Sequence, residues 1–365
     1  MKRMQLLDYG RFAAAISVVA FHYIFGGIHS GKITSISYMP EAVDIVKYGY
    51  LGVEFFFMIS GYVIFYSATR RSPADFAVSR AVRLYPAFWV AVIFTSLCSV
   101  FWGGSLMSVE VTQVILNLSM LAPYMGVAAV DGVYWTLLYE IQFYALVFIL
   151  LSLGLRDKLV LLFLLWPMLM LIALYFNHDN IVYLGGYYSY FSAGAVFAIL
   201  KNQRSYYVYA SLITSAALCI MFSTGKVPYL IESRGVNYSE YIIGFIVLCF
   251  FTFFYFSNSK YASNINLYGS RVLGGLTYPV YLIHAHFGYM VISRYANEDN
   301  KFLIYFITIT VVLSVSYFIY AVIEGKFHLL WKSLFDNAIG KPVNLFLLKF
   351  PILSLAYDKS SNTTN

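Results

Sequence analysis

The residues with chemistry to explain are the histidines, arginines and carboxylates embedded in long apolar runs. His22 and Arg11 lie eleven positions apart in the run 7–27. On a helix they share one face and stand about 16 Å apart along the axis. That spacing pairs a potential general base with a fixed positive charge deeper in the same helix. Glu54 sits in Gly52-Val53-Glu54-Phe55-Phe56-Phe57-Met58-Ile59-Ser60-Gly61-Tyr62 and is expected at the depth of His22. A carboxylate beside an imidazole orients the ring for general-base work. Glu140, about two turns into the run that opens Tyr134-Trp135-Thr136-Leu137-Leu138-Tyr139-Glu140, is the other candidate for that task. Ionisable groups inside a span cost roughly 2.5–3.5 kcal/mol each on insertion scales, so each requires a partner or a function.

Two further groups stand out. Arg80 and Arg83 are i,i+3 neighbours at a helix start, shortly after Arg70-Arg71. Guanidinium forks match phosphate oxygens, so this face suits a phosphorylated ligand, and Arg271 is expected to join it. The same charges also serve as a signal that keeps a loop on the cytoplasmic side. Thr277-Tyr278-Pro279-Val280-Tyr281-Leu282-Ile283-His284-Ala285-His286 carries two histidines that point about 200° apart on a helix. At most one of them faces a shared cavity. Tyr281, His284 and Gly288 share a face, and Pro279 is expected to kink the helix. His29, His178 and Asp179 read as surface residues. No cluster has metal-ligand spacing, and there is no Gly-rich phosphate loop and no nucleophile elbow.

The elements that position these residues must be membrane helices. Of 365 residues 61% are hydrophobic and only 11% charged, with a mean hydropathy of +0.72. A soluble domain carries roughly a quarter charged residues, so this chain cannot cover a water-facing surface. Measured against about 20 apolar residues per crossing, the runs 7–27, 48–68, 84–102, 133–153, 159–177, 181–200, 206–223, 240–258, 272–293 and 302–323 predict an all-α polytopic bundle of about ten helices. The start of the chain resembles a signal peptide, but Asp8 and Arg11 interrupt it and no cleavage site follows, so it is taken as the first helix. The stretch 106–126, broken by Pro123 and Gly126, reads as re-entrant or surface-lying. Residues 1–325 are expected to form the membrane domain and 326–365 a cytoplasmic tail. The apolar run 344–357 in that tail, interrupted by Lys349 and Pro351, reads as interfacial.

With both termini in the cytoplasm, 17 of the 24 basic residues fall on the inner side and 6 on the outer, with Arg11 inside the first span. This asymmetry follows the positive-inside rule. The net charge of +7 is therefore mostly topology, with no nucleic acid implied. Cys98, Cys219 and Cys249 lie far apart in apolar runs and read as buried small hydrophobes rather than a disulfide or zinc framework.

Five patterns, in order along the chain, resemble the acyltransferase 3 family of polytopic bacterial membrane acyltransferases. They are Arg11-x10-His22, Gly52-Val53-Glu54-Phe55-Phe56-Phe57-x-x-Ser60-Gly61, Arg80-x-x-Arg83-Leu84-x-Pro86, Trp135-x-Leu137-x-x-Glu140 and Thr277-Tyr278-Pro279-x-Tyr281-x-x-His284. Glu54 stands where the family more often has Asp, and Thr136 and Thr277 where it often has Ser. The resemblance implies O-acyl transfer, usually of acetyl, from cytosolic acyl-CoA to a sugar hydroxyl of a cell-surface or lipid-linked polysaccharide. It implies an inner-membrane location and acetyl-CoA as donor substrate, with no permanently bound cofactor. His22 and Arg11 are implied to be essential, with Glu54 and Glu140 beside them. Arg80, Arg83 and Arg271 would hold the CoA phosphates, and His284, Tyr281 and Trp135 would meet the acceptor. His22 would act as general base on the hydroxyl or carry the acyl group transiently. A glycan transporter or flippase without chemistry is the rival class, since intramembrane Arg, Glu and His also line ion pathways; it lacks support from repeated halves or paired broken helices.

Overall fold

A computed structural model describes residues 4–349; Lys2, Arg3 and the chain from 350 onward, including Pro351, Tyr357 and Lys359, lie outside the described residues. Ten principal helices form the bundle: α1 Gln5–Phe21, α2 Gly52–Ala68, α3 Pro73–Trp102, α4 Trp135–Ser152, α5 Leu159–Tyr175, α6 Tyr188–Asn202, α7 Tyr206–Gly225, α8 Glu240–Ser257, α9 Ser270–Tyr295 and α10 Lys301–Phe318. No strand occurs among the described residues. Eight of these ten belong to segments long and apolar enough to cross a membrane. The other two are α6, which has only 15 residues, and α9, which carries Arg271, Thr277, Tyr278, His284, His286 and Arg294. Both are central. Every residue of α6 from Tyr188 to Leu200 is buried, as are 17 residues of α9. A helix surrounded by other helices need not satisfy lipid, so hydropathy under-reads it.

The face that carries residue 4 is here called proximal and the opposite face distal. Helices α1 and α9 run parallel from proximal to distal, with Gly274 against Asp8 and Gly288 against Tyr23. Helices α2 and α6 run parallel in the other direction. They cross at Gly61 and Gly194, each packed against the partner's backbone. Helix α9 also packs on α3 and α10, while α6 packs on α5 and α7.

Two departures from the sequence expectation bear on the site. Helix α3 starts at Pro73, not near 84: Ser72 Oγ accepts from Asp75 N at 3.0 Å, and proline fits the first helical position. Arg80 and Arg83 are thus carried within the helix and turned toward the protein interior. Helix α6 starts at Tyr188, not near 181, because Tyr183 and Gly186 take left-handed conformations that a helix cannot include. Helix α9 continues through Pro279.

Beyond Phe21 the first helix continues as a π-helical turn, His22–Gly26, in which Gly27 N bonds His22 O. A second π stretch, Ile319–Lys326, extends α10. Such wide turns re-aim side chains and recur at functional sites. The segment 106–126 folds back along α3: Leu118 O accepts from Trp89 Nε1 at 2.9 Å and Ser119 O from Tyr85 Oη at 3.2 Å. Asn117 secures it, donating to Gln113 O and Ala128 O and accepting from Val130 N at 3.0 Å. Irregular backbone at membrane depth needs such internal partners. Two short helices, α11 His328–Phe335 and α12 Lys341–Lys349, follow α10; Phe335 packs on Val78 and Ala81, and Gly340 also meets Val78, beside the start of α3. Cys98 and Cys219 are buried as expected, but Cys249 is exposed on α8.

A methyl group at Gly194 would collide with Met58 O, a backbone atom that cannot swing aside. Gly194→Ala is expected to destabilise the detergent-solubilised protein by about 1–3 kcal/mol. Gly225→Ala, where nothing lies within 4 Å, should be neutral or slightly stabilising. Thermal-stability curves of the two variants check this contrast.

Candidate active site

Two cavities of about 270 Å³ each lie on opposite sides of a thin septum between α1, α2, α4 and α9. The proximal cavity contains the arginines. Arg11 from α1, Arg80 and Arg83 from α3, and Glu140 and Tyr144 from α4 line it, with Ser60 from α2 and Tyr278 and Tyr281 from α9. Glu140 is held by Ser60 Oγ at 3.0 Å and by Tyr144 Oη at 2.7 Å. Arg83 pairs with Glu324 at 3.1 Å and lies over the Tyr278 ring at 5.2 Å. Arg80 is propped over Phe76 and Tyr144, and its Nε donates to Ser79 Oγ at 3.2 Å. Among the described residues no salt bridge engages Arg11 or Arg80, so the cavity keeps guanidinium groups available to an anion.

The septum is a ring of hydroxyl bonds joining the start of α4 to α9. Tyr281 Oη donates to Val133 O at 3.1 Å and meets Thr136 Oγ1 at 2.9 Å. One turn further along α9 is His284, fully buried. Its Nδ1 donates to Tyr281 O at 2.8 Å and Val280 O at 3.2 Å, which leaves Nε2 as a buried lone pair with no hydrogen-bond partner. The ring of His284 packs edge-on to that of His22, with centroids 5.0 Å apart.

His22 lines the distal cavity, at the first position of the π turn. Its Nδ1 shares a short hydrogen bond with Tyr289 Oη of α9. That bond fixes the ring and directs the other nitrogen, Nε2, away from Tyr289. Neither carboxylate proposed from the sequence takes this position. Glu140 is bound on the proximal side. Glu54 is buried on another face of α2, 3.5 Å from Lys226, whose ammonium lies over the rings of Tyr187 and Phe222 at 3.8 and 3.7 Å. The depth assigned to Glu54 is also corrected. Gly49 and Gly52 abut the carbonyls of Ser17 and Ala14, a register that puts Glu54 level with Phe12, about 15 Å along α1 from His22.

His286 lines the distal cavity and His284 does not, as their angular separation requires. Lys32 Nζ donates to His286 Nε2 at 2.7 Å, and burial pushes the Lys32 ammonium below the usual lysine range. Asp131, wholly buried, accepts from Val133 N at 3.1 Å and His286 N at 2.9 Å, tying the loop before α4 to α9. His29, read from the sequence as a surface residue, lines the distal cavity too. Two other expected site residues lie elsewhere. Arg271 is exposed in the first turn of α9 and lines neither cavity. Trp135 is packed on Tyr139 and Tyr187, also outside both.

Residues 5–321 match the acyltransferase domain that defines the acyltransferase 3 family. The chain belongs to that family. No curated protein and no solved structure matches it significantly. It is therefore a multi-pass membrane acyltransferase, and each of the five sequence patterns places at least one residue on the walls of the two cavities, Arg11, His22, Ser60, Arg80, Arg83, Glu140 and Tyr281 among them.

Five residues that line or brace the two cavities escaped the sequence reading: Tyr289, Glu324, Asp131, Lys32 and Arg234. Glu324 carried a usable signal, an acid near the end of an apolar run that needed a cationic partner. Tyr289 carried none, since a tyrosine among 34 is not distinctive. Tyr289→Phe keeps the ring packing and removes the oxygen that holds His22. The expected result is a fall in kcat of about 10- to 100-fold, the effect of leaving one buried polar group unpaired. KM for the acyl donor should stay within about twofold, which steady-state kinetics would test.

Proposed function

We propose that this acyltransferase moves an acetyl group from cytosolic acetyl-CoA to a sugar hydroxyl of a cell-surface or lipid-linked polysaccharide in a bacterial cytoplasmic membrane. The observation that carries the reading is the division of the site: guanidinium groups in one cavity and His22 in the other, with one layer of side chains between. The basic asymmetry of the loops favours the cytoplasm for the proximal face. There Arg80 and Arg11 suit the CoA phosphates, with Arg83, held by Glu324, completing the positive wall. Pantetheine is a long, thin arm, and it would need to pass only the Tyr281–Thr136 contact for its thioester to approach His22.

In the reaction, Nε2 of His22 takes the proton of the acceptor hydroxyl as that oxygen attacks the thioester carbonyl. The carbon–sulfur bond then breaks, and the departing CoA thiolate recovers the proton from the imidazolium. Tyr289 keeps the ring aligned throughout. Glu54 has no part in these steps. Its role in this scheme is to neutralise Lys226 in the bundle interior, where breaking a buried pair costs about 3–5 kcal/mol.

His22→Ala is expected to abolish transfer, a loss of at least about 10²-fold. Arg80→Ala should raise KM for acetyl-CoA about tenfold, one contact of roughly 1.4 kcal/mol, and leave turnover of acetyl-pantetheine unchanged. The assay follows CoA-thiol release and radiolabel passing to a membrane-glycan extract, with variants at wild-type protein levels. Undiminished transfer by His22→Ala would overturn the scheme.

A further inference from the structure

The distal cavity has a charge pattern that acyl transfer to a hydroxyl does not by itself require. Five basic side chains line it: His22, His29, Lys32, Arg234 and His286; no acidic side chain does. The nearest buried acid, Asp131, has each carboxylate oxygen engaged by a backbone N–H. Among the described residues neither Lys32 nor Arg234 forms a salt bridge, a state they share with Arg11 and Arg80 of the proximal cavity, whereas Lys47, Arg83, Lys226 and Lys301 are each paired.

Both cations are nevertheless fixed in place. The Arg234 guanidinium lies over Phe21 at 4.9 Å, Tyr50 at 4.8 Å and Tyr238 at 5.7 Å, and donates to Tyr238 Oη at 3.0 Å. Phe21 is the chain neighbour of His22 and packs on its ring, with centroids 5.1 Å apart. Lys32 is held by His286 and stands 5.8 Å from the centroid of the Tyr289 ring, the same ring whose hydroxyl bonds His22. The two charges thus flank His22 through rings that touch it. A partly desolvated cation without a counterion is costly, and a ligand anion removes that cost as it binds. Aromatic walls add a flat apolar surface suited to a sugar face.

We infer that the distal cavity takes an acceptor carrying an anionic group, a phosphate ester or a sugar carboxylate, which Lys32 and Arg234 hold while a neighbouring hydroxyl meets His22. This identifies the acceptor class and rests on the proposed acyl-transfer reading. The anion serves to bind and orient the acceptor. It leaves the reaction unchanged.

The test is a binding measurement that needs no donor. Purified protein in nanodiscs is titrated with glucose, glucuronic acid and glucose 1-phosphate, and with a polyprenyl phosphate supplied in the nanodisc lipid. The anionic probes should bind at least about tenfold more tightly than glucose, with an advantage that shrinks as salt is raised. Lys32→Met and Arg234→Met should each remove most of that advantage. Lys32→Arg and Arg234→Lys, which keep the charge, should retain part of it and show that the variants are folded. Tightest binding of glucuronic acid identifies a sugar carboxylate, and of the polyprenyl phosphate a lipid-linked phosphate. Equal binding of neutral and anionic sugars, or an undiminished preference in both methionine variants, overturns the proposal. Acetyl-CoA thiol release by the wild-type protein, measured separately, reports on the acyl-transfer reading, so the two can fail independently.

Discussion

Helices α1 and α9 approach so closely that the backbone of Gly288 rests on the ring of Tyr23 and that of Gly274 on the carboxylate of Asp8. A Cβ at either glycine would have to displace the Tyr23 ring or the Asp8 carboxylate. This contact decides the geometry at the centre of the protein. It lets Tyr23 Oη donate to His284 O at 2.8 Å, and it sets His22 edge-on to His284 and within hydrogen-bonding reach of Tyr289. Polar helices gain little from lipid when they associate, so close packing and interhelical hydrogen bonds must hold them. The parallel register places each polar group of one helix beside a partner on the other. The π turn at His22–Gly26 then sets where the imidazole emerges.

The same packing explains why the interior is divided rather than continuous. Side chains of α9 alternate in purpose along its length. Tyr278 and Tyr281 face the arginines, His284 fills the wall, and His286 and Tyr289 face the far side. The loop before α4 closes the gap, since Val133 and Thr136 bond Tyr281 while Asp131 anchors His286 N. The wall is one helical turn thick, roughly 5 Å. It is enough to separate two aqueous faces and thin enough for an extended thioester to meet a base beyond it. On the proximal side Glu324 pairs with Arg83, and Glu140 stands in the wall among the arginines. On the distal side the positive charge is left unmatched, which gives the two cavities different ligand preferences.

Much of this was legible in the sequence, and what was not has identifiable causes. The all-α membrane bundle follows from apolar length, although hydropathy under-reads the two central helices, and Arg11 and His22 sit at the two levels that their spacing predicts. The depth expected for Glu54 differs from the observed one because it is judged by counting from a loop. The true depth depends on how far α2 slides along α1, which the contacts of Gly49 and Gly52 set. Charged residues were also read as markers of the membrane edge. That rule cut α3 short at 84, because Arg80 and Arg83 face a cavity inside the protein instead of water. Lys32 and Arg234 were counted only as loop charges, since nothing in their local sequence shows that two distant loops converge over His22.

Sidedness is the most direct test of a donor and an acceptor meeting across one septum. Inverted membrane vesicles containing the protein expose the cytoplasmic face, and acetyl-CoA labelled in its acetyl group does not cross the bilayer. The expected result is label on glycan inside the sealed vesicles, with the free CoA thiol recovered outside and both signals lost in His22→Ala. Transfer that begins only after the vesicles are permeabilised, or label confined to glycan on the outer surface, would contradict a reaction divided between the two cavities.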